Sequence, residues 1–528
     1  MFPRMALARR RWTQAFEGDV SDVRVRVLAV GRTLARGGRG LLVACTLAGA
    51  AASAPAQDTR RVTEPEIPAT CIKLEAHLYA AGDALSPSDE SRQDTARLQE
   101  SIDGFAAKCK SGQAVELAMG VAKDAGGKAP NAFLSGPIEL KEGMTLLVDK
   151  GVTLFASRDP KDYDMPVQQM PGGRQSGGPG TCGTMPAKGQ CKAFITIRAK
   201  NVAIMGDGII DGRGGAKMLG QDLSWWGLAV KAETAGGGNQ GAPYSDPRLI
   251  TATNADGLVL YRITLHDSPN FHVGVSRTNG FTAWGVHLKT PVHQPGPGDP
   301  RPRNTDGIDP GASTNITIAH SWIDNGDDNV AIKTGVTHMS VIDNHFYSGH
   351  GMSIGSETYS GVSDLLVDGL TEDHTSSGIR IKSNASRGGL VENLTYKDIC
   401  MRDVGVPIAI SPYYNGQTIE GFVDPGIKGD RIPDYKSITL ENITDVTPGD
   451  VLIAGYDEAH RTQVALENVT IDGIKPDQVH VRFDDIVASG TNIPIGAGDG
   501  NKDVKLVTVG AKGGTRPYSC EGKFVPMQ

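Results

Sequence analysis

Residues 304–333 read NTDGIDPGASTNITIAHSWIDNGDDNVAIK. Two polar clusters, Asn304-Thr305-Asp306 and Gly326-Asp327-Asp328, bracket short runs in which apolar and polar residues alternate. The series continues with Gly349-His350-Gly351 and Arg380-Ile381-Lys382. Ile308, Ile332, Ile354 and Ile381 are 24, 22 and 27 residues apart. Alternation marks strands with one buried face, and a period in the twenties marks a solenoid. Each repeat holds several short strands and no helical pattern, so a parallel β-helix fits better than a leucine-rich array.

The same pattern spreads outward. From about Ala132, runs such as Thr153-Leu154-Phe155, Ile195-Thr196-Ile197 and Val202-Ala203-Ile204 alternate with Gly, Asn and Asp. Asn315, Asn393, Asn442 and Asn468 each open an Asn-x-Thr triplet at separations near multiples of 25, which places them at similar points of the repeat as strand starts and turns. One amphipathic helix is predicted about residues 94–110, where Leu98, Ile102, Phe105 and Cys109 recur at helical spacing; it would cover an open strand edge. Pro171–Gln190, Pro291–Arg303 and Pro412–Lys428 interrupt the period, and long loops on one face of a solenoid shape a groove. The expectation is an all-β chain, one parallel β-helix over residues 57–528 with a short N-terminal capping α-helix.

Composition agrees. Of 528 residues, 67 are Gly, and aromatics make up only 5%. Arg32, Arg36 and Arg39 precede an apolar run, Leu41–Ala52, and Ala54-Pro55-Ala56 supplies a small-x-small cleavage site. Residues 1–56 are therefore read as a leader that is removed, and the mature chain as exported. Acidic residues at 17, 19 and 22 suit no leader and raise the hypothesis of a translation start near Val30. Removing the leader takes away nine Arg and three acidic residues, so net charge falls from −7 to −13. Nucleic acid and anionic membranes are poor partners for such a chain. Six cysteines remain, with 15 complete pairings open. Sequence neighbours are favoured: Cys71 with Cys109, Cys182 with Cys191, Cys400 with Cys520.

The clusters carry the chemistry. Equivalent positions on neighbouring coils sit about 4.8 Å apart, so residues on successive turns can line one cleft. Glycoside hydrolysis needs one protonated acid and one carboxylate that activates water or attacks carbon. Asp306, Asp327 and Asp328 offer both, since clustered carboxylates drive their own pKa values apart. His350 can support the acid. Arg380 and Lys382, two apart in a strand, point to one face and suit a carboxylated substrate. Taken singly, each cluster has a plain reading. Adjacent Asp residues make turns or bind calcium, Gly-His-Gly makes a turn, and Arg-x-Lys is a solvated strand face. Order and spacing make the set specific.

That set resembles the polygalacturonases of glycoside hydrolase family 28. Ser268–His272, Asn304–Pro310, Gly326–Lys333 and Gly349–Glu357 are similar to endopolygalacturonases secreted by plant-pathogenic bacteria, within a resemblance covering about residues 65–475. The resemblance implies a right-handed β-helix and inverting hydrolysis of α-1,4-galacturonan, without metal or other cofactor. Asp327 would be the general acid, Asp306 and Asp328 would hold and activate water, and His350 would support the acid's protonation. Arg380, Lys382, Asn304 and Tyr414, the last with Tyr413 as its neighbour, would bind substrate. The expected partner is polygalacturonate or pectin of plant cell walls, met by a secreted, extracellular monomer. A local basic patch around Arg380 and Lys382 is expected within the acidic surface. Rival readings are an exo-acting or other pectin-active relative, a calcium-dependent pectate lyase and a non-catalytic β-helix adhesin.

Overall fold

A strand with one apolar face must stack on another, and in the computed structural model the strands stack into one 32-stranded sheet wound on itself. The structure describes residues 57–528 except 83, 125, 170–174, 236–241, 291–300, 416, 419–420, 423–425, 497–500 and 511–516. The expected leader lies outside the described residues. So do most of the Pro291–Arg303 loop and parts of Pro171–Gln190 and Pro412–Lys428.

From Ile195 to Asp373 each coil lays one strand in each of three columns; beyond that, Leu390–Arg402 runs through two of them. Ile308–Gly311, Thr314–Ala319 and Trp322–Asp324 form one coil, and Val330 then opens the next by pairing in parallel with Ile308. Thr317 pairs with Ser340, and Ser340 with Leu366; Trp322 pairs with His345, and His345 with Thr371. This is the parallel β-helix expected from the sequence. Its register corrects one detail. Ile332, Ile354, Ile381 and Ile410 form one inner row, but Ile308 stacks on Val330, Met352 and Ile379 in the adjacent inner row. A strand period of two puts both rows on the same buried face, and all eight side chains are fully buried.

The Asn-x-Thr triplets serve two corners, not one. Asn315 and Asn393 lie in the corner that also holds His338 and Asp364; Asn442 and Asn468 lie in the next corner, with Asp398. Every one of these residues has φ between 53° and 59°. A short polar side chain tolerates that left-handed turn and bonds locally. Asn468 Nδ2 donates to Asn442 Oδ1 (2.9 Å), and Asn442 Nδ2 to Asp398 Oδ1 (2.9 Å).

The predicted helix is two pieces, α1 (Thr95–Asp103) and α2 (Phe105–Lys108), separated at Gly104. Leu98, Ile102 and Phe105 are buried in the main core as expected. A third helix, α3 (Trp225–Ala235), was not foreseen. Trp225, Leu228, Ala229 and Ala232 are buried at helical spacing, a signal present in the sequence. All three favoured disulfides form: Cys71–Cys109, Cys182–Cys191 and Cys400–Cys520. Residues 58–64 run back over the coils as a strap. Thr317 Oγ1 donates to buried Asp58 (2.7 Å), Arg60 Nη2 to Phe281 O (2.9 Å) and Tyr261 OH to Glu64 (2.7 Å).

Candidate active site

The polar clusters sit in turns that enter one column of strands. Asp306 precedes Ile308–Gly311, Asp327 and Asp328 precede Val330–Ile332, and His350 precedes Met352–Gly355. Because Ile308 pairs with Val330 and Val330 with Met352, Asp306, Asp328 and His350 fall into one row across three coils. Asp327 and Asp328 thus lie in the turn between Trp322–Asp324 and Val330–Ile332. Gly326 is needed for crowding: a Cβ there would lie 2.5 Å from Pro302 O. Arg380 does not continue the row. Met352 pairs with Ile379, so Arg380 and Lys382 stand within their strand, Ser377–Lys382, further along the coil than His350.

Two buried amides missed in the sequence clamp these turns together. Asn325 Nδ2 donates to Thr305 O (2.8 Å) and Asp328 O (2.9 Å). Asn329 Nδ2 donates to Asn325 Oδ1 (2.7 Å) and Ser348 O (2.7 Å), while its Oδ1 accepts from Gly351 N–H (2.8 Å). The turns carrying Asp306, Asp328 and His350 are therefore one hydrogen-bonded unit. His272, also buried, fixes Asp306 from the preceding coil: its Nδ1 lies 3.1 Å from Asp306 O and its Nε2 2.8 Å from Thr290 Oγ1. Burial pushes His272 down to about 4, so the ring is neutral.

One oxygen from each of Asp306, Asp327 and Asp328 lies within 4.8 Å of the others. Their surroundings differ. Asp328 is buried, and its Oδ2 accepts from Lys382 Nζ (2.6 Å) while Oδ1 accepts from Arg380 Nη1 (3.0 Å) and Ser353 Oγ (2.8 Å). Burial opposes its ionisation, but Lys382, Arg380 and Lys333 outweigh that and hold it well below the usual carboxylate range. Asp306 has no such partners. Burial, then repulsion from Asp309 and Asp327, raises it well above that range, and its Oδ1 has no hydrogen-bond partner among the described residues. Asp327 is the accessible one, half-buried. Its Oδ2 accepts from Asn304 Nδ2 (3.2 Å) and its Oδ1 from the Asp328 N–H (2.9 Å). Asn304 Oδ1 in turn accepts from Tyr244 OH (3.0 Å). His350 Nδ1 lies 2.6 Å from Ser376 Oγ, and burial lowers its pKa against the pull of Asp327.

A second pair, also missed, lies beside the three. Lys333 Nζ is 3.6 Å from Asp309 Oδ2 and donates to Gly355 O (3.1 Å). Burial, offset in part by Lys333, pushes Asp309 up to about 7. The carboxylates line a cavity of about 560 Å³ together with Lys333, Lys382 and Tyr414. His350 and Arg380 are not among its lining residues; Arg380 reaches it through Asp328. Tyr414 packs over Lys382, with Nζ 5.5 Å from the ring centre. Tyr413 is a core residue instead, its OH donating to Tyr456 O (2.6 Å). Three carboxylates also have the composition of a hard-cation site, but Lys382 and Arg380 already occupy both oxygens of Asp328.

The cations expected to form a basic patch, Arg380 and Lys382, are both paired with Asp328. Below about pH 7 Asp309 is protonated, and Asp306 is raised as well. Lys333, Lys382 and exposed Arg248 line the cavity together with Asp306, Asp309, Asp327, Asp328 and Glu357, so cations and carboxylates share the cleft.

Comparison with known proteins agrees with this arrangement. The family model for glycosyl hydrolases family 28 matches residues 129–514. A polygalacturonase of Ralstonia nicotianae is 36% identical over 88% of this chain and 92% of its own length. An endo-polygalacturonase of Pectobacterium carotovorum subsp. carotovorum is 37% identical over 80% of this chain and 91% of its own. Among solved structures, the polygalacturonase from Erwinia carotovora ssp. carotovora superposes with a TM-score of 0.65 at 35% identity, covering 80% of this chain and 100% of that one. On this match of family, relatives and fold, the chain belongs to family 28 of the glycosyl hydrolases.

Proposed function

We propose that this hydrolase is a secreted, monomeric endopolygalacturonase. It cuts α-1,4-galacturonosyl bonds inside pectate and homogalacturonan of plant cell walls, with inversion and without a cofactor. The observation that carries the reading is the carboxylate trio, in which two cations hold Asp328 ionised while burial raises Asp306 and makes its carboxylate the stronger base. Relatives whose names state polygalacturonase support the substrate. Three disulfides fit an oxidising, extracellular setting.

In the proposed step Asp327 protonates the glycosidic oxygen, because the leaving group arrives from the cleft and Asp327 is the accessible carboxyl. A water held between Asp306 and Asp328 attacks the anomeric carbon as the bond to the leaving oxygen breaks. Ionised Asp306 takes the water's proton; a carboxylate with a raised pKa is the better base. Asp328, too weak a base, orients the water and offsets positive charge on the ring. His350, through its own backbone N–H on Asp327 O (2.9 Å) and its ring nearby, supports the donor. Lys382, Tyr414, Arg380 and Asn304 hold the substrate's carboxylate and hydroxyls. The oxygens lie closer than the ~6.5–9.5 Å usual between two carboxyls in inverting enzymes. Here two carboxylates flank one water, and an oxygen bonded to both can join carboxylate oxygens up to about 5.5 Å apart, a limit these oxygens meet at 4.8 Å or less. The proposal is tested by following the anomeric configuration of the first reducing ends by NMR. Inversion of an α bond gives the β-anomer; an α-anomer would show that one of the three is a nucleophile.

A further inference from the structure

The two cations expected to hold substrate are shared with Asp328: Lys382 Nζ lies at 2.6 Å with a side chain only 6% exposed, and Arg380 at 3.0 Å. Lys333 is committed to Asp309 and Gly355 O. One cation on the cleft is differently placed. Ile250 pairs with Val273, and Val273 with Ile308, so Arg248 and Phe271 extend the row of Asp306, Asp328 and His350 toward the N-terminal coils. The Arg248 guanidinium lies over the Phe271 ring, 4.3 Å from its centre. Arg248 is exposed; its charge is felt by Asp246 and by buried Asp309, but it forms no ion pair among the described residues. It lines the 560 Å³ cavity of the trio and also a second cavity of about 1060 Å³, which runs on toward α1; Thr251 is the other residue common to both.

We propose that Arg248, held over Phe271, is a receptor for the carboxylate of a second uronate unit, bound two coils to the N-terminal side of Asp306. Two coils amount to about 10 Å, beyond the sugar held at Lys382 and Tyr414. A guanidinium stacked on a ring keeps its N–H edge free and loses little freedom when a carboxylate docks in bidentate fashion. The cleft thus reads acidic units on both sides of the trio, which commits the enzyme to bonds inside a chain. This inference rests on the substrate reading above.

The test is steady-state kinetics of the full chain on polygalacturonate, comparing wild type, Arg248→Gln and Arg248→Lys, with the same polymer fully methyl-esterified as the uncharged control. The expected result for Arg248→Gln is a KM raised roughly tenfold or more, the scale of one charge-assisted bond, with kcat within about twofold. Arg248→Lys should recover part of the loss, and whatever slow rate the esterified polymer supports should not change. An active wild type whose KM is unmoved in Arg248→Gln would overturn the role of Arg248 alone. So would an equal loss on the esterified polymer, or a loss shared in full by Arg248→Lys, either of which marks a structural arginine. A wild type inert toward polygalacturonate would overturn the substrate reading, and this inference with it.

Discussion

Replacing Lys382 by Met removes a buried cation while keeping an unbranched stem of similar length. Asp328 Oδ2 then loses its 2.6 Å partner, while Oδ1 keeps Arg380 and Ser353. Breaking a buried pair on one side costs about 3–5 kcal/mol; with Arg380 still present the lower end applies. About 3 kcal/mol corresponds to roughly two pKa units, so Asp328 moves up toward the ordinary carboxylate range. A depressed pKa contributes stability that is present above the unfolded value and lost as pH falls toward the folded one. The urea-unfolding gap between wild type and Lys382→Met should therefore be fullest near pH 7. It should narrow below about pH 4, where the variant's Asp328 takes up a proton that wild type refuses. The cleaner readout is a double-mutant cycle. In an Asp328→Asn background the same Lys382→Met change should cost less than about 1 kcal/mol. A cost of 3 kcal/mol that persists in the Asn background would refute the electrostatic account and make Lys382 a packing residue.

Further expectations concern the acid, the buried carboxyls and the paired tyrosines. Asp327→Asn should lose about 10²- to 10⁴-fold in kcat, the scale of general acid catalysis, while calorimetry shows oligogalacturonate still binding; full activity would reassign the donor. Glu372 is buried, with Oε2 unpartnered among the described residues, and burial raises it to about 8. A raised acid binds its proton more tightly folded than unfolded, so stability should fall as pH rises from about 4 to 8. Glu372→Gln should remove up to about 4 kcal/mol of that fall, read from unfolding midpoints across pH; an unchanged slope would contradict it. Tyr413→Phe should lower stability by about 1–3 kcal/mol through the unmet Tyr456 carbonyl without moving KM, whereas Tyr414→Ala should raise KM; the reverse pattern would exchange the two roles.

The fold was legible because its determinants are local. Alternation around Ile332 and Ile354 declares a strand, and recurrence declares the coil. The clustering of the carboxylate trio was legible for the same reason: Asp306 and Asp328 are 22 residues apart, which is the coil step that pairs Ile308 with Val330. Asn325 and Asn329 were not legible, because an amide beside a turn has no signature until three turns are stacked and their carbonyls converge. Asp309 and Lys333 were hidden inside strand patterns, where a charged residue ordinarily points to solvent; only the fold shows both facing the cleft. The Asn-x-Thr triplets misled because two corners of the coil share one backbone demand, a left-handed residue, and Asn meets it at both. The row containing Arg248 was equally invisible, since α3 and its flanking loop stretch the preceding coil out of period.

The central claim is hydrolysis of internal galacturonosyl bonds at the carboxylate trio. Its most direct measurement is a reducing-end assay of the full chain on polygalacturonate, with chelator present, products sized over time and ultraviolet absorbance followed alongside. The account predicts early mixed oligomers, no new absorbance, and loss of the signal in Asp327→Asn. Monomer or dimer alone from the first minutes would contradict internal cutting. An ultraviolet-absorbing product, or activity abolished by chelator, would contradict hydrolysis by these three carboxylates.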